Sequence, residues 1–138
     1  MSNSKEEYEK RKEYHREYKR KNRERIKEYH QAYRKTKHGR AITYADNYKR
    51  WDLGKGFDIS NNITPQWIEE NLFSENSKCV YCGDSDWQHL GADRIDNNKP
   101  HTPDNVVCAC GRCNEIRAQH YTVEEFKELR KRVPAVLV

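Results

Sequence analysis

Two pairs of cysteines constrain the fold of this 138-residue chain more than any other feature of its sequence. Cys79 and Cys82 form one C-x-x-C pair, and Cys110 and Cys113 form a second pair after 27 intervening residues. Each pair can direct two thiolates at one ion, and four thiolates complete the tetrahedral shell of a structural zinc ion. The spacing therefore predicts a closed zinc site. The alternative, two pairs of buried free cysteines, fits the doubled spacing less well.

The fifth cysteine, Cys108, lies in a Val-rich stretch and is predicted to be a small hydrophobic core residue. The chain shows neither the apolar segment of a signal peptide nor the roughly 20 apolar residues of a membrane span. Because paired C-x-x-C spacing in a reducing compartment suits metal better than disulfides, we expect a soluble intracellular protein with no membrane partner. With 34% hydrophobic and 36% charged residues, its core must be modest and would gain from a metal.

Residues 1–37 are predicted to form a long basic helical arm. Between Lys5 and Lys37 there are 14 Lys or Arg against 7 Glu and no Gly or Pro, which predicts a helix of about 50 Å if unbroken. Tyr14 and Tyr18 share a helical face, as do Ile26, Tyr29 and Tyr33. Two interpretations stay open: a solvated helix, or an arm whose cations contact phosphates and whose tyrosines stack on bases or rest on the folded module.

Residues 38–76 are predicted to be a connector with short helices. One helix is expected from Ala41 to Trp51, and a second is expected to begin at Pro65 with Thr64 as its N-cap. The apolar residues of the second helix recur at helical spacing, which is more typical of a core than of a binding site. These core residues are Trp67, Ile68, Leu72 and Phe73.

Residues 77–138 are predicted to carry the chemistry, in the order strand, loop, strand, helix. Asp93 would lie on the first strand, and Asn114 would lie at the start of the helix that follows the second cysteine pair. Their oxygen atoms could face one hollow and hold a hard divalent ion such as Mg²⁺. A last helix should begin with the capping box of Thr122 and Glu125 and stop before Pro134.

The stretch from Cys79 to Arg117 contains CVYCG, then GADRIDNNKPHTPDNVV, then CGRCN. It resembles the zinc-containing HNH, or ββα-metal, endonucleases of phages, mobile introns and restriction systems. The resemblance implies an α+β fold, a small zinc-stapled ββα-metal finger with supporting helices and the basic arm. It also implies that Asp93 and Asn114 bind a catalytic Mg²⁺ or Mn²⁺, that Asn105 braces the loop between the strands, and that the four cysteines bind zinc.

One residue departs from the pattern of most family members, which have Asp-His where this chain has Asp93-Arg94. Arginine stays protonated and cannot serve as the general base, so the resemblance to an Asp-Arg subgroup implies that Arg94 clamps the scissile phosphate. The base would then come from Tyr81, His101 or His89, in that order. Each residue also has a non-catalytic interpretation: Tyr81 would pack on the zinc knuckle, His101 would brace the loop, and His89 would lie exposed at the strand start.

The resemblance favours a metal-dependent DNA endonuclease or nickase that hydrolyses phosphodiester bonds, acting on double-stranded DNA in the cytoplasm of a bacterial or phage-infected cell. A zinc-stapled DNA-binding protein without cleavage activity is the main alternative. A third is an interaction module whose arm self-associates, and a homodimer stays open, although the arm lacks sustained Leu heptads.

Overall fold

The computed structural model describes residues 3–132 and divides the chain into two compact units, Met1–Thr36 and Lys37–Val138. The predicted helix stop before Pro134 therefore lies outside the described residues. Among the described helices, none combines the length and the apolar character needed to cross a membrane.

The first unit consists of two helices, α1 (Asn3–Lys21) and α2 (Arg23–Arg34), rather than one unbroken helix to Lys37. The interruption is at Asn22, whose φ of −105° and ψ of 11° depart from helical values. Its side-chain amide donates to the Tyr18 carbonyl at 2.8 Å, so it competes with the backbone for a helical acceptor.

Tyrosine pairs lie on the surface of both helices of this unit. The rings of Tyr14 and Tyr18 stack with centroids 6.5 Å apart, and Tyr29 and Tyr33 stack at the same separation, as the four-residue spacing predicted. All four side chains are exposed, and α2 has no buried residue. The unit therefore consists of solvated helices with aromatic rings on their surface.

The second unit begins with α3 (Lys37–Gly54), which is longer at both ends than the predicted helix. The next helix, α4 (Pro65–Asn71), starts as predicted: the Thr64 hydroxyl accepts a hydrogen bond from the Trp67 amide at 3.1 Å, and Pro65 occupies the first turn. Both helices pack against the strands through a cluster of buried residues. Its members are Ala41, Ile63, Ile68, Leu72, Phe73, Ala92 and Val106.

Two antiparallel strands form the centre of this unit: β1 (Leu90–Arg94) pairs with β2 (Val106–Cys110) in the register Leu90↔Cys110 to Arg94↔Val106. Helix α5 (Gly111–Arg117) follows β2 directly, and α6 (Val123–Arg132) follows α5. The capping box at the start of α6 is formed, because Thr122 and Glu125 exchange two hydrogen bonds of 3.1 Å. The predicted α+β fold, with a two-stranded sheet beside a four-cysteine cluster, is confirmed.

A second buried cluster surrounds the cysteines and joins the sheet to α6. It comprises Cys79, Tyr81, Leu90, Ala109, Cys110, Cys113, Val123 and Phe126. Cys108 is partly buried and packs against both clusters, as expected of a small hydrophobic residue. The core residues predicted in and just after α4 also lie in the core: Ile68, Leu72 and Phe73 are buried, and the partly buried Trp67 packs on them.

Candidate active site and metal centre

The four cysteines form one compact cluster. Their sulfur atoms all lie within 4.8 Å of one another, and the Cys82 and Cys110 sulfurs are 3.7 Å apart. A tetrahedron with Zn–S bonds of about 2.3 Å has sulfur–sulfur edges of roughly 3.8 Å, so this arrangement fits a zinc ion. Two local turns shape the cluster: Gly83 adopts a φ of 79° after the first pair, and Cys110 caps helix α5.

Arg130 of α6 lies beside this cluster and is only 5% exposed. Burial lowers the pKa of its guanidinium, but contacts with the thiols of Cys113 and Cys82 raise the pKa by more than burial lowers it. The net shift of the pKa is therefore upward. Four thiolates around Zn²⁺ carry a net negative charge. Arg130 is therefore placed to offset the charge that a loaded site would carry.

A separate cavity of about 310 Å³ lies between α3, the sheet and α5. It is lined by Asn47, Tyr48, Trp51, Ala92, Asp93, Arg94, Asn97, His101 and Asn114. Four of the predicted site residues, Asp93, Arg94, His101 and Asn114, thus meet around one hollow. Helix α3 contributes three side chains that the sequence pattern did not single out.

The carboxylate of Asp93 is buried, with 2% of the residue exposed. The Tyr81 hydroxyl donates to Oδ2 at 2.6 Å, and Arg117 Nη1 donates to Oδ1 at 2.7 Å. Burial raises the pKa of Asp93 above its ordinary value, while the Tyr81 hydrogen bond and the Arg117 charge act in the opposite direction. Each carboxylate oxygen has a second lone pair that could serve a metal ion.

Arg117 is the buried cation of this site, and sequence reasoning missed it. Its guanidinium also donates to the Arg94 carbonyl at 3.0 Å and to the Ile95 carbonyl at 3.3 Å, so it ties the end of α5 to the end of β1. The signal was present in the sequence, because Arg117 follows Cys113 by four residues and hence shares its buried helical face.

His101 forms a buried pair with Asp52 of α3. The ring nitrogen Nδ1 lies 2.9 Å from Asp52 Oδ2, and the backbone amide of His101 donates to the same oxygen at 2.9 Å. Asn62 donates a third hydrogen bond to this carboxylate, which is fully buried. Burial lowers the pKa of His101, and the hydrogen bond to Asp52 opposes that shift. The expected bracing of the loop by His101 thus runs through α3.

Tyr48 of α3 fixes both His101 and β1. Its ring stacks on the imidazole with centroids 4.3 Å apart, and its hydroxyl accepts a hydrogen bond from the Ala92 amide at 2.9 Å. A Cβ at Gly91 would lie 3.0 Å from that hydroxyl, so a larger residue there would force the Tyr48 side chain to shift. Burial raises the pKa of Tyr48 to about 12, which keeps its hydroxyl protonated.

Arg94 is held at the edge of the cavity by the loop between the strands. Its Nη1 donates to the Asn97 carbonyl at 3.1 Å and to the Lys99 carbonyl at 3.3 Å, and it lies 4.0 Å from Asp52 Oδ1. These contacts occupy one end of the guanidinium. Its other N–H groups can bind an anion, and the planar fork suits phosphate oxygens.

Asn105 makes several hydrogen bonds to the loop between the strands. Its amide nitrogen donates to the carbonyls of Asp96 and Pro100 at 3.0 and 2.9 Å, and its side-chain oxygen accepts from the Asp96 amide at 3.0 Å. Both ends of the side chain therefore hold the loop between β1 and β2.

The other two candidate bases are not among the described residues that line the cavity. Tyr81 donates to Asp93 and packs edge-on against Phe126, and its pKa is raised well above its ordinary value, first by burial. His89 is exposed, pairs with Asp84 at 2.8 Å, and lies in a different cleft that contains Cys82 and Cys110.

The two-stranded sheet, the helix that follows it and the four-cysteine cluster together define a small α+β protein. The sequence matches no family model, and no curated protein matches it significantly. Among solved structures, the chain is similar to the rare-cutting HNH restriction endonuclease PacI, with a TM-score of 0.56 and 21% sequence identity. The similarity covers 70% of this chain and 78% of that chain, and it shows a shared fold.

Proposed function

We propose that this protein is a metal-dependent DNA endonuclease or nickase of the HNH type that hydrolyses phosphodiester bonds. The observation that carries the proposal is the single cavity at which Asp93, Arg94, His101 and Asn114 meet within an HNH-like fold. Asp93 and Asn114 offer oxygen ligands for a metal ion, and Arg94 offers a cation for a phosphate. The fourth residue is a titratable group that can take a proton from the attacking water.

Zinc is proposed as a structural ion held by the four cysteines. A shell of four thiolates leaves no open position, so this ion would stabilise the fold without taking part in hydrolysis. It would bring the end of β2, α5 and the first cysteine pair together, and α5 carries Asn114 and Arg117.

Mg²⁺ or Mn²⁺ is proposed at Asp93 and Asn114. Both side chains offer oxygen atoms at the cavity, and a site with one carboxylate is typical for Mg²⁺, which also takes water and substrate phosphate as ligands. Such an ion supplies charge stabilisation for the leaving oxygen of the phosphodiester.

His101 is proposed as the general base, ahead of Tyr81 and His89. A base must be unprotonated, and the lowered pKa of His101 keeps its imidazole neutral near pH 7. Asp52, at the Nδ1 side of the ring, orients the imidazole so that Nε2 can accept a proton from the attacking water. Arg94 would hold the scissile phosphate. Tyr81 is a weaker candidate because its hydroxyl is buried and already donates to Asp93.

Double-stranded DNA is the proposed substrate, with the basic arm, residues 1–37, as an additional contact to the flanking duplex. The remaining residues, the predicted connector (38–76) and zinc module (77–138), would act as one catalytic module, because α3 supplies Asp52 and Tyr48 to the site. The proposal includes a cytoplasmic location in a bacterial or phage-infected cell, where the enzyme would meet DNA.

Cleavage of supercoiled plasmid tests this function. Wild type with Mg²⁺ or Mn²⁺ should give nicked or linear product, whereas the EDTA control and Asp93→Asn should give none. Asparagine preserves the shape of the buried site, and unchanged zinc content would show that the variant folds. Full metal-dependent cleavage by Asp93→Asn would overturn the site assignment. DNA binding without any cleavage by wild type would favour the inactive DNA-binding protein, and neither activity would favour the interaction module.

A further inference from the structure

A larger open cleft lies beside the proposed active site. Its volume is about 560 Å³, within the range of roughly 300–1,000 Å³ that small-molecule sites occupy. Trp51, Arg94 and Asn97 line both this cleft and the cavity of the proposed active site. A ligand in the cleft would therefore adjoin the phosphate that Arg94 is proposed to hold.

Exposed rings are the main feature of the cleft. Trp51 is 56% exposed and Tyr121 is 40% exposed, although both are large apolar groups on a small folded unit. The Lys55 ammonium lies over one face of the Trp51 ring, 5.4 Å from its centroid, and Tyr121 stacks on Phe126. Solvent-facing aromatic rings are platforms on which nucleobases stack.

The charges in the cleft nearly balance. Asp96 and Glu125 line it together with the cations Lys55, Arg94 and Arg117. Both carboxylates accept backbone hydrogen bonds, Asp96 from the Asn98 amide at 2.9 Å and Glu125 from the Thr122 amide at 3.1 Å. Arg117 already pairs with Asp93, and the two fixed carboxylates would oppose a second phosphate beside them, while the side-chain amides of Asn98 and Gln119 can hydrogen-bond the edge of a base.

We infer that this cleft takes one unstacked nucleobase, from the nucleotide next to the phosphate at Arg94, with Trp51 as its stacking platform. The inference rests on the proposed function, because the phosphate at Arg94 sets the position of the neighbouring base. It implies that the protein prefers DNA in which a base is already unpaired near the bound phosphate, since removing a base from a duplex costs a few kcal/mol.

Binding measured by fluorescence anisotropy in EDTA, where no cleavage occurs, tests the inference. Two duplexes are compared that differ only at one extrahelical nucleotide, thymidine or an abasic residue. Wild type should bind the thymidine duplex about tenfold more tightly, the scale of one base stacked on an aromatic ring. Trp51→Ala should bind both duplexes equally, and Trp51→Phe should keep most of the preference because the ring remains.

Leu53→Ala is the matched control, since Leu53 is also an exposed apolar residue of α3 but lines neither the cleft nor the cavity. It should leave the ratio of the two affinities unchanged. Equal binding of both duplexes by wild type, or an undiminished preference in Trp51→Ala, would overturn the inference. Plasmid cleavage by wild type, measured in parallel, separates the two proposals: cleavage without a base preference sinks only this inference, and absence of cleavage sinks the proposed function.

Discussion

The pair of His101 and Asp52 illustrates how much of this site depends on single buried contacts. The two residues are 49 positions apart in the chain, and the carboxylate is fully buried beneath the imidazole. A carboxylate behind a histidine fixes the ring tautomer and leaves the other nitrogen free for proton transfer. The protonation state of His101 should therefore affect both the cleavage rate and the free energy of unfolding.

The pH dependence of cleavage should report His101. Because its pKa is lowered by burial, the cleavage rate should rise with pH to a plateau, with a midpoint below the ordinary value of about 6.5. His101→Ala should lose this limb and fall about 10²- to 10⁴-fold in rate. His89→Ala should keep the wild-type profile. A wild-type limb retained in His101→Ala would reject His101 as the base.

Stability should follow the same group. The folded protein binds fewer protons at His101 than the unfolded chain, because the folded-state pKa is the lower one. The contribution of this site is thus complete above about pH 6.5 and is lost as the pH falls through the folded-state pKa. Urea unfolding at pH 5 and pH 7.5 measures the difference, which should shrink in His101→Ala.

Arg117 should be essential for the fold as long as Asp93 is charged. Both residues are about 2% exposed, so Arg117→Met would leave a buried carboxylate without its cation and should cost about 3–5 kcal/mol in the free energy of unfolding. Adding Asp93→Asn to that variant removes the uncompensated charge and should restore part of the loss. Urea unfolding of the two single variants and the double variant checks this coupling. Simple additivity would contradict it.

At the scale of elements, the sequence was informative where the signal is local. The cap at Thr64, the capping box at Thr122 and the two C-x-x-C pairs act within three or four residues, and each is formed or brought together in the structure. Such signals need no knowledge of the rest of the chain.

Helix α3 shows why the rest could not be predicted. A helix was predicted from Ala41 to Trp51, but no local signal shows that Tyr48 contacts Ala92, or that Asp52 contacts His101, more than 40 residues away. Without several related sequences, a buried Asp in a polar helix looks like any solvated Asp. The break at Asn22 was not predicted for a different reason: the hydrogen bond from its side chain to the Tyr18 carbonyl is one of several arrangements open to an exposed Asn.

Metal removal should act on the second unit. The proposed zinc ion joins the first cysteine pair to β2 and α5, so a strong chelator should abolish the cooperative melting transition of residues 37–138. Cys82→Ser should lose zinc in the same way. Cys108→Ser, which alters a cysteine outside the cluster, should keep one zinc per chain by metal analysis. A chelated protein with its full transition would contradict the closed site.

For the whole molecule, the central feature is the uneven charge. The chain carries a net charge of +5, and the whole excess of Lys and Arg over Asp and Glu lies in residues 1–36, which hold 13 Lys or Arg against 7 Glu and no Asp. If that unit contacts phosphates, its cations release counterions on binding, and affinity must fall steeply with salt.

Deletion of residues 1–36 should therefore weaken DNA binding and reduce the slope of log affinity against log salt by about 0.9 for each phosphate that the protein no longer neutralises. A variant with Tyr14, Tyr18, Tyr29 and Tyr33 changed to Ala keeps the charge and should keep that slope. If the truncated protein binds DNA with unchanged affinity, the first unit is a pair of solvated helices with no role in binding. Sedimentation tests self-association of the first unit. A mass that rises with the concentration of the full-length protein but stays constant for the truncated protein would favour it.

Helix α5 joins two roles in seven residues, since Cys113 belongs to the cysteine cluster and Asn114 and Arg117 belong to the proposed active site. A newly made chain that has not yet captured zinc would have neither side chain in position. Under the proposed function, the protein would thus be inactive until it binds zinc, and the zinc supply of the cell would determine when it can cleave DNA.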